Sequence, residues 1–173
     1  MTIVEQIEHP SLAKLDRIDI KILIHLQQDS GVTNLELSES VALSPSACLQ
    51  RVRRLEKAGI IKRYGAEVDW KRVHSQIRVF TRITLKSHGV ADFQQFERYV
   101  RNHPEIVQCF ALCGDADYLL QFVCKDMAAY QDSSDALISA GVAIANISSY
   151  AVMREIKTQP AMLKSDELIA LAG

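Results

Sequence analysis

Residues Ser44 to Gly65 read SPSACLQRVRRLEKAGIIKRYG. Ser44 followed by Pro45 marks a helix start, because a hydroxyl caps free backbone N–H groups and proline at the first helical position has no bond to lose. Cys48, Val52 and Leu55 recur at i, i+4, i+7 and form one apolar stripe. Ser46, Gln50, Arg51, Arg53, Arg54 and Lys57 lie off that stripe. Gly59 supplies the left-handed stop, after which Ile60 and Ile61 resume an extended run. From Ser44 to Tyr64 six Lys/Arg (Arg51, Arg53, Arg54, Lys57, Lys62, Arg63) stand against Glu56 alone, a local charge of +5. A helix apolar on one side and basic on the other suits a groove lined with phosphates, although a solvated surface helix has the same pattern.

The elements before it favour the groove. Leu15 to Gln28 is a helix with Leu15, Ile18, Ile22 and Leu26 on one stripe, widened by Leu23 and flanked by Ile20 and Ile24. Asp29-Ser30-Gly31 turns the chain, and Thr33-x-x-Glu36 is a capping box opening a short helix over about Asn34 to Ala42. Two helices joined by a three- to four-residue turn, behind a longer helix, form a helix-turn-helix whose second helix enters the major groove. Ile60 to Val68 is expected to fold as a short hairpin, a wing, with Lys62 and Arg63 placed on phosphates.

Beyond residues 67–76, a bridge in which Trp70 reads as a packing anchor, the period changes. Ile77, Val79, Thr81, Ile83 and Leu85 alternate with Arg78, Phe80, Arg82 and Thr84, as in a strand. A helix over Ala91 to Asn102, strands over Val107 to Leu112 and Tyr118 to Val123, a helix capped by Asp126 and stopped by Gly141, and a last strand within Val142 to Ile156 complete the order β-α-β-β-α-β. That is the ferredoxin-like split motif, so the class is α+β. Its strands carry apolar residues on both faces, and two helices cover only one. A second copy is therefore expected sheet-on-sheet, which would set two reading helices on one side of a duplex.

The chain has 173 residues, 48% of them apolar, and a net charge of −1. Neither half is basic as a whole, so a nucleic-acid site has to be a local patch. Cys48, Cys109, Cys113 and Cys124 show no CxxC and no Cys/His metal spacing. Cys109 and Cys113 stand about 13 Å apart along a strand, too far to share a metal or a disulfide. Free thiols suit a reducing cytosol. No apolar run reaches ~18 residues, and a cytoplasmic protein without a cofactor is expected.

The segments LDRIDIKILIHLQQDSGVTNLELSESVALSPSACLQRVRRLEKAGIIKRY and CGDADYLLQFV, with DMAAY beyond them, resemble the Lrp/AsnC, or feast/famine, regulators over about Leu15 to Pro160. Ala47 departs from the family's SPTPC, where proline is common. The resemblance implies a winged helix-turn-helix (residues 15–66), a linker (67–76) and a ferredoxin-like effector and oligomerisation domain, the RAM domain (77–158). An N-terminal extension (1–14) and a tail (159–173) lie outside it. It implies dimers assembling into tetramers, octamers or higher, and DNA binding through Ser44, Ser46, Gln50, Arg51 and Arg54. It also implies a small effector, an amino acid, held near Cys113, Gly114, Asp115, Asp117 and Tyr118. Glycine allows a close backbone approach, Asp115 or Asp117 accepts from an ammonium group, and loop N–H groups receive a carboxylate. The same Gly-Asp content also suits a plain hairpin turn. Ser148, Ser149 and Tyr150 are weaker candidates, and the cysteines flanking the loop read as packing or as sensing thiols.

Two other classes fit the same architecture. One is a tetrapyrrole decarboxylase, which resembles this two-domain fold but needs histidines or arginines around a large cavity. The other is an architectural protein that bends DNA without an effector.

Overall fold

A computed structural model describes residues 14–157. They form two compact units, residues 14–68 and Asp69–Ile156. Residues 1–13 of the expected N-terminal extension and the whole tail from residue 159 lie outside the described residues.

The first unit holds α1 (Arg17–Gln28), α2 (Asn34–Ser40) and α3 (Pro45–Lys57). Asp16 caps α1, with Asp19 closing the box. Thr33 and Glu36 do the same for α2, and Ser44 caps α3 with Pro45 behind it. Ile22, Leu37, Val41, Cys48, Val52 and Leu55 make the core. Both α2 and α3 end in the same hydrogen-bonded stop. After α3, Gly59 N–H reaches Glu56 O at 2.9 Å and Ile60 N–H reaches Leu55 O at 3.0 Å, with Gly59 at φ +70°. After α2, Ala42 N–H reaches Glu39 O at 3.2 Å and Leu43 N–H reaches Ser38 O at 2.9 Å. Here the left-handed position is taken by Ala42, at φ 56°. The second helix thus ends two residues earlier than the sequence suggests, and its turn carries an alanine where glycine would be unstrained.

The wing hairpin expected over Ile60 to Val68 is not formed: no strand is present between α3 and residue 77. Ile60 and Ile61 turn inward onto the core. Residues 62–69 are exposed throughout, so no buried face selects a register for pairing. The Ser30 hydroxyl holds this segment at the Gly65 carbonyl, 3.0 Å away. Trp70, half-exposed in a single 3₁₀ turn (Trp70–Arg72) and tilted against His74, is not a core anchor in this unit.

The second unit is an antiparallel sheet of β1 (Ile77–Leu85), β2 (Ile106–Ala111), β3 (Tyr118–Cys124) and β4 (Ile144–Ala151) in the order β2-β3-β1-β4, with α4 (Val90–Arg101) and α5 (Met127–Ser139) as crossovers. This is the expected βαββαβ arrangement. Val79, Ile83, Leu85, Leu120 and Phe122 meet Phe96, Tyr130 and Leu137 in one core. The opposite face is mixed rather than apolar. In register across the sheet run Phe110, Leu119, Arg82 and Ser148, then Gln108, Gln121, Phe80 and Tyr150. A register shift between Ile106 and Gln108 interrupts the alternation of β2 and leaves Val107 half-exposed.

Candidate nucleic-acid interface and effector loop

On α3, Cys48, Val52 and Leu55 face the core. Ser46 and Gln50 are exposed on the other side. Ser44 spends its hydroxyl on the cap, accepting from Ala47 N–H at 3.3 Å, with Ser46 Oγ also 3.3 Å away. Lys62 and Arg63 are exposed on the extended segment after α3, beside a cavity of about 510 Å³ between that segment and the end of α1. Tyr64 closes back onto α3 by donating to Glu56 at 2.7 Å. Burial and this carboxylate push its hydroxyl up to about 12.

Arg51 and Arg54 are accessible, but they are not free. Arg51 Nη1 donates to Asp16 at 2.5 Å and to Asp19 at 2.9 Å, and Arg54 donates to the other Asp19 oxygen. Asp19 is 1% exposed. The same carboxylates accept the free N–H groups of the first turn of α1: Asp16 from Ile18 and Asp19, and Asp19 from Asp16. Arg51 hydrogen-bonded to Asp16 holds that carboxyl below its ordinary value, and the Arg51 pKa is raised in return. Stripping partners from a buried charge costs about 3–5 kcal/mol. A good bidentate base contact returns about 1–3 kcal/mol. The sequence identifies these arginines by type but not their partners, because 32 to 35 residues separate them from the acids.

The loop between β2 and β3 divides its candidates. Cys113, Gly114 and Asp115 form the exposed tip. Gly114 has open space where a Cβ would sit, so no contact within the chain requires a glycine there. Asp115 is 85% exposed and pairs with Arg82 from the open sheet face, which raises the arginine's pKa. Asp117 and Tyr118 are the loop's foundations. Asp117 accepts from Leu85 N–H at 2.7 Å and lies 3.1 Å from His88 Nε2. Its own N–H reaches Ile83 O at 2.9 Å, and its carbonyl accepts from Leu112 at 2.8 Å. Tyr118 is buried, stacks on Phe96 at 4.4 Å and donates to Glu97 at 3.2 Å; burial first, then Glu97, raises its pKa. Beside them opens a cavity of about 240 Å³ lined by Phe93, Glu97, Ala111, Asp117 and Tyr118 among others. Arg82, His88 and Glu97 were missed in the sequence, since only the fold brings their strands and helices to this loop.

Ser149 is structural, its hydroxyl 2.5 Å from Tyr130 Oη, which also meets Thr81 Oγ1 at 2.9 Å. Ser148 shares the open sheet face with Tyr150. All four cysteines are free. Cys113 is exposed, whereas burial pushes the Cys109 thiol up to about 11. Among the described residues no group of three His, Cys, Asp or Glu side chains is placed to hold a metal, and no helix is long and apolar enough to cross a membrane.

Comparison with known proteins gives the same two parts. Residues 15–62 match a winged helix-turn-helix DNA-binding model, and residues 78–162 match the Lrp/AsnC ligand binding domain. The chain is 38% identical over 155 residues to the transcriptional regulatory protein DoeX of Halomonas elongata, covering 90% of this chain and 98% of that protein. It is 40% identical over 143 residues to the leucine-responsive regulatory protein of Escherichia coli, covering 83% and 87%. A transcriptional regulator from Neisseria meningitidis, solved as a complex with L-Met, superposes with a TM-score of 0.79 at 38% identity over 86% of this chain and 96% of its own. An AsnC family regulator from Agrobacterium tumefaciens gives 0.80 at 35% identity over 88% and 98%. With the helix-turn-helix, the four-stranded effector-type unit and relatives matched over nearly their whole length, the chain belongs to the Lrp/AsnC family of transcriptional regulators.

Proposed function

We propose that this chain reads duplex DNA through α3 and is retuned by an amino acid bound at the tip of the β2–β3 loop. One observation carries the DNA side. The helix that follows the turn buries its apolar stripe and leaves Ser46, Gln50, Arg53, Arg54 and Lys57 exposed, with Lys62 and Arg63 continuing the charge. Ser44, Ser46, Gln50, Arg51, Arg54, Lys62 and Arg63 are the contact residues that the family resemblance and the charge pattern propose, and Arg53 is exposed on the same helix.

Cys113, Gly114 and Asp115 would meet the effector, with Asp117 and Tyr118 holding the loop. An exposed carboxylate, a glycine that the chain's own packing does not need, and a neighbouring cavity support this reading. The L-Met complex of the Neisseria meningitidis regulator supports an amino acid as the ligand class. The open sheet face, with Phe110 and Tyr150 about half-exposed, is where a second copy would pack, and dimers would assemble further in the cytoplasm. An effector shifts such an assembly only by favouring one state over another.

The decarboxylase reading is less well supported. His74, His88 and His103 do not converge on one cavity; His88 faces Asp117 and His103 stacks on Tyr99. A thermal-shift screen of the full chain against the twenty amino acids and β-alanine, paired with a gel shift, tests the proposal. A midpoint raised by at least one amino acid, with DNA binding altered by the same compound, is expected. No response to any of them would refute the effector assignment.

A further inference from the structure

The basic residues of α3 fall on two different lines, and only one line is free. At 100° per residue, Ser46, Gln50, Arg53 and Lys57 (i, i+4, i+7, i+11) lie opposite Cys48, Val52 and Leu55. All four are exposed. Arg51 and Arg54 sit on the flank turned toward the first turn of α1, where Asp16 and Asp19 take their guanidinium groups. Arg51 is 27% exposed and its partner Asp19 carboxylate 1%. Arg53 and Lys57, by contrast, carry no ion pair among the described residues.

We infer that the two sets divide the work on DNA. Ser46, Gln50 and Arg53 form the ridge that meets base edges, with Arg53 as the specificity-determining arginine. Asp19 is a positioning residue: it pins Arg51 and Arg54 to α1, fixes the angle at which the ridge is presented, and keeps their charge from being spent on arbitrary phosphates. The Arg51 guanidinium, shared between two carboxylates, has its donors directed inward and the local charge it offers a phosphate is largely cancelled, while Arg54, 57% exposed, is held by Asp19 alone. An arginine without such partners keeps its planar fork for a guanine edge. This inference rests on the DNA-reading proposal above.

The test uses the full chain and a pool of random duplexes, from which the wild type selects a site. Affinity is then measured for every single-base variant of that site and for a random duplex, over a series of salt concentrations. Arg53→Ala is expected to flatten the preference at one or two base pairs per half-site, by about tenfold each. Arg51→Gln is expected to keep the same preferred bases while binding all duplexes less well. Asp19→Asn, which releases Arg54, leaves Arg51 on Asp16 alone and removes one negative charge, is expected to steepen the dependence of log K on log salt by about one and to lower the ratio of selected-site to random binding. A merely structural aspartate would not move the salt slope. The inference is overturned if Arg51→Gln changes the preferred bases while Arg53→Ala leaves them intact. It is overturned equally if Asp19→Asn, folded by circular dichroism, keeps the wild-type slope and ratio. A wild type that retains no duplex from the pool overturns the DNA-reading proposal itself, and this inference with it.

Discussion

Arg51 Nη1 lies 2.9 Å from Asp19 Oδ1, a carboxylate on the preceding long helix that water scarcely reaches. The contact joins the start of α1 to the middle of α3. Two capping acids thereby serve both helices, satisfying the free N–H groups of one and the cations of the other.

Because Asp19 has two arginine partners, losing one is tolerable and losing both is not. Arg51→Ala and Arg54→Ala are each expected to destabilise the first unit by about 1 kcal/mol. Together they leave a buried, unpaired carboxylate, and the double variant is expected to lose about 3–5 kcal/mol, more than the sum. Urea titrations followed by amide exchange in α1 and α3 check this. Strict additivity would show that Asp19 does not depend on the pair.

Acid sensitivity follows from Asp16. The hydrogen bond from Arg51 depresses its folded-state pKa. The unfolded chain therefore takes up that proton first, so the stabilisation is complete above the ordinary Asp range near 4 and is lost as pH falls through the lower, folded-state value. Asp16 is half-exposed, so the effect is modest. Asp16→Asn, which still caps the helix, is expected to flatten the fall of the urea midpoint below about pH 4. Equal slopes in the two proteins would place the acid sensitivity elsewhere.

The two aspartates of the β2–β3 loop should separate cleanly. Asp117→Ala leaves the Leu85 N–H without its acceptor, and a loss of about 1–3 kcal/mol is expected. Asp115→Ala breaks only a surface pair, and the thermal midpoint is expected to stay where it is while any amino-acid response disappears. Differential scanning calorimetry with and without ligand distinguishes them. A large stability loss at Asp115 would make it structural instead.

The helix-turn-helix corner carries strain that can be relieved. Ala42 occupies a left-handed position that a Cβ disfavours. Ala42→Gly is expected to stabilise the first unit by roughly 0.5–1 kcal/mol, the relief of strain exceeding the chain entropy that glycine costs. The urea midpoint reports it. A destabilised variant would mean that the methyl's packing outweighs the backbone term.

Much of this protein follows from sequence alone because the deciding signals are local. Ser44-Pro45, Thr33 with Glu36, Asp126 and Gly59 act on N–H groups and dihedrals a few residues away, so their helices begin and end close to where spacing places them. The alternation from Ile77 to Leu85 likewise declares β1 and its buried face. What depends on distant partners was not legible. Nothing near Lys62 says that residues 62–69 lack a strand to pair with. Nothing in CGDADY says that Asp117 carries the backbone of β1 while Asp115 is left to solvent. Nothing in RVRRLE says which arginine is tethered: Arg51, Arg53 and Arg54 are alike in type, and only the packing of α1 against α3, which brings a buried aspartate to one flank and none to the other, makes them different.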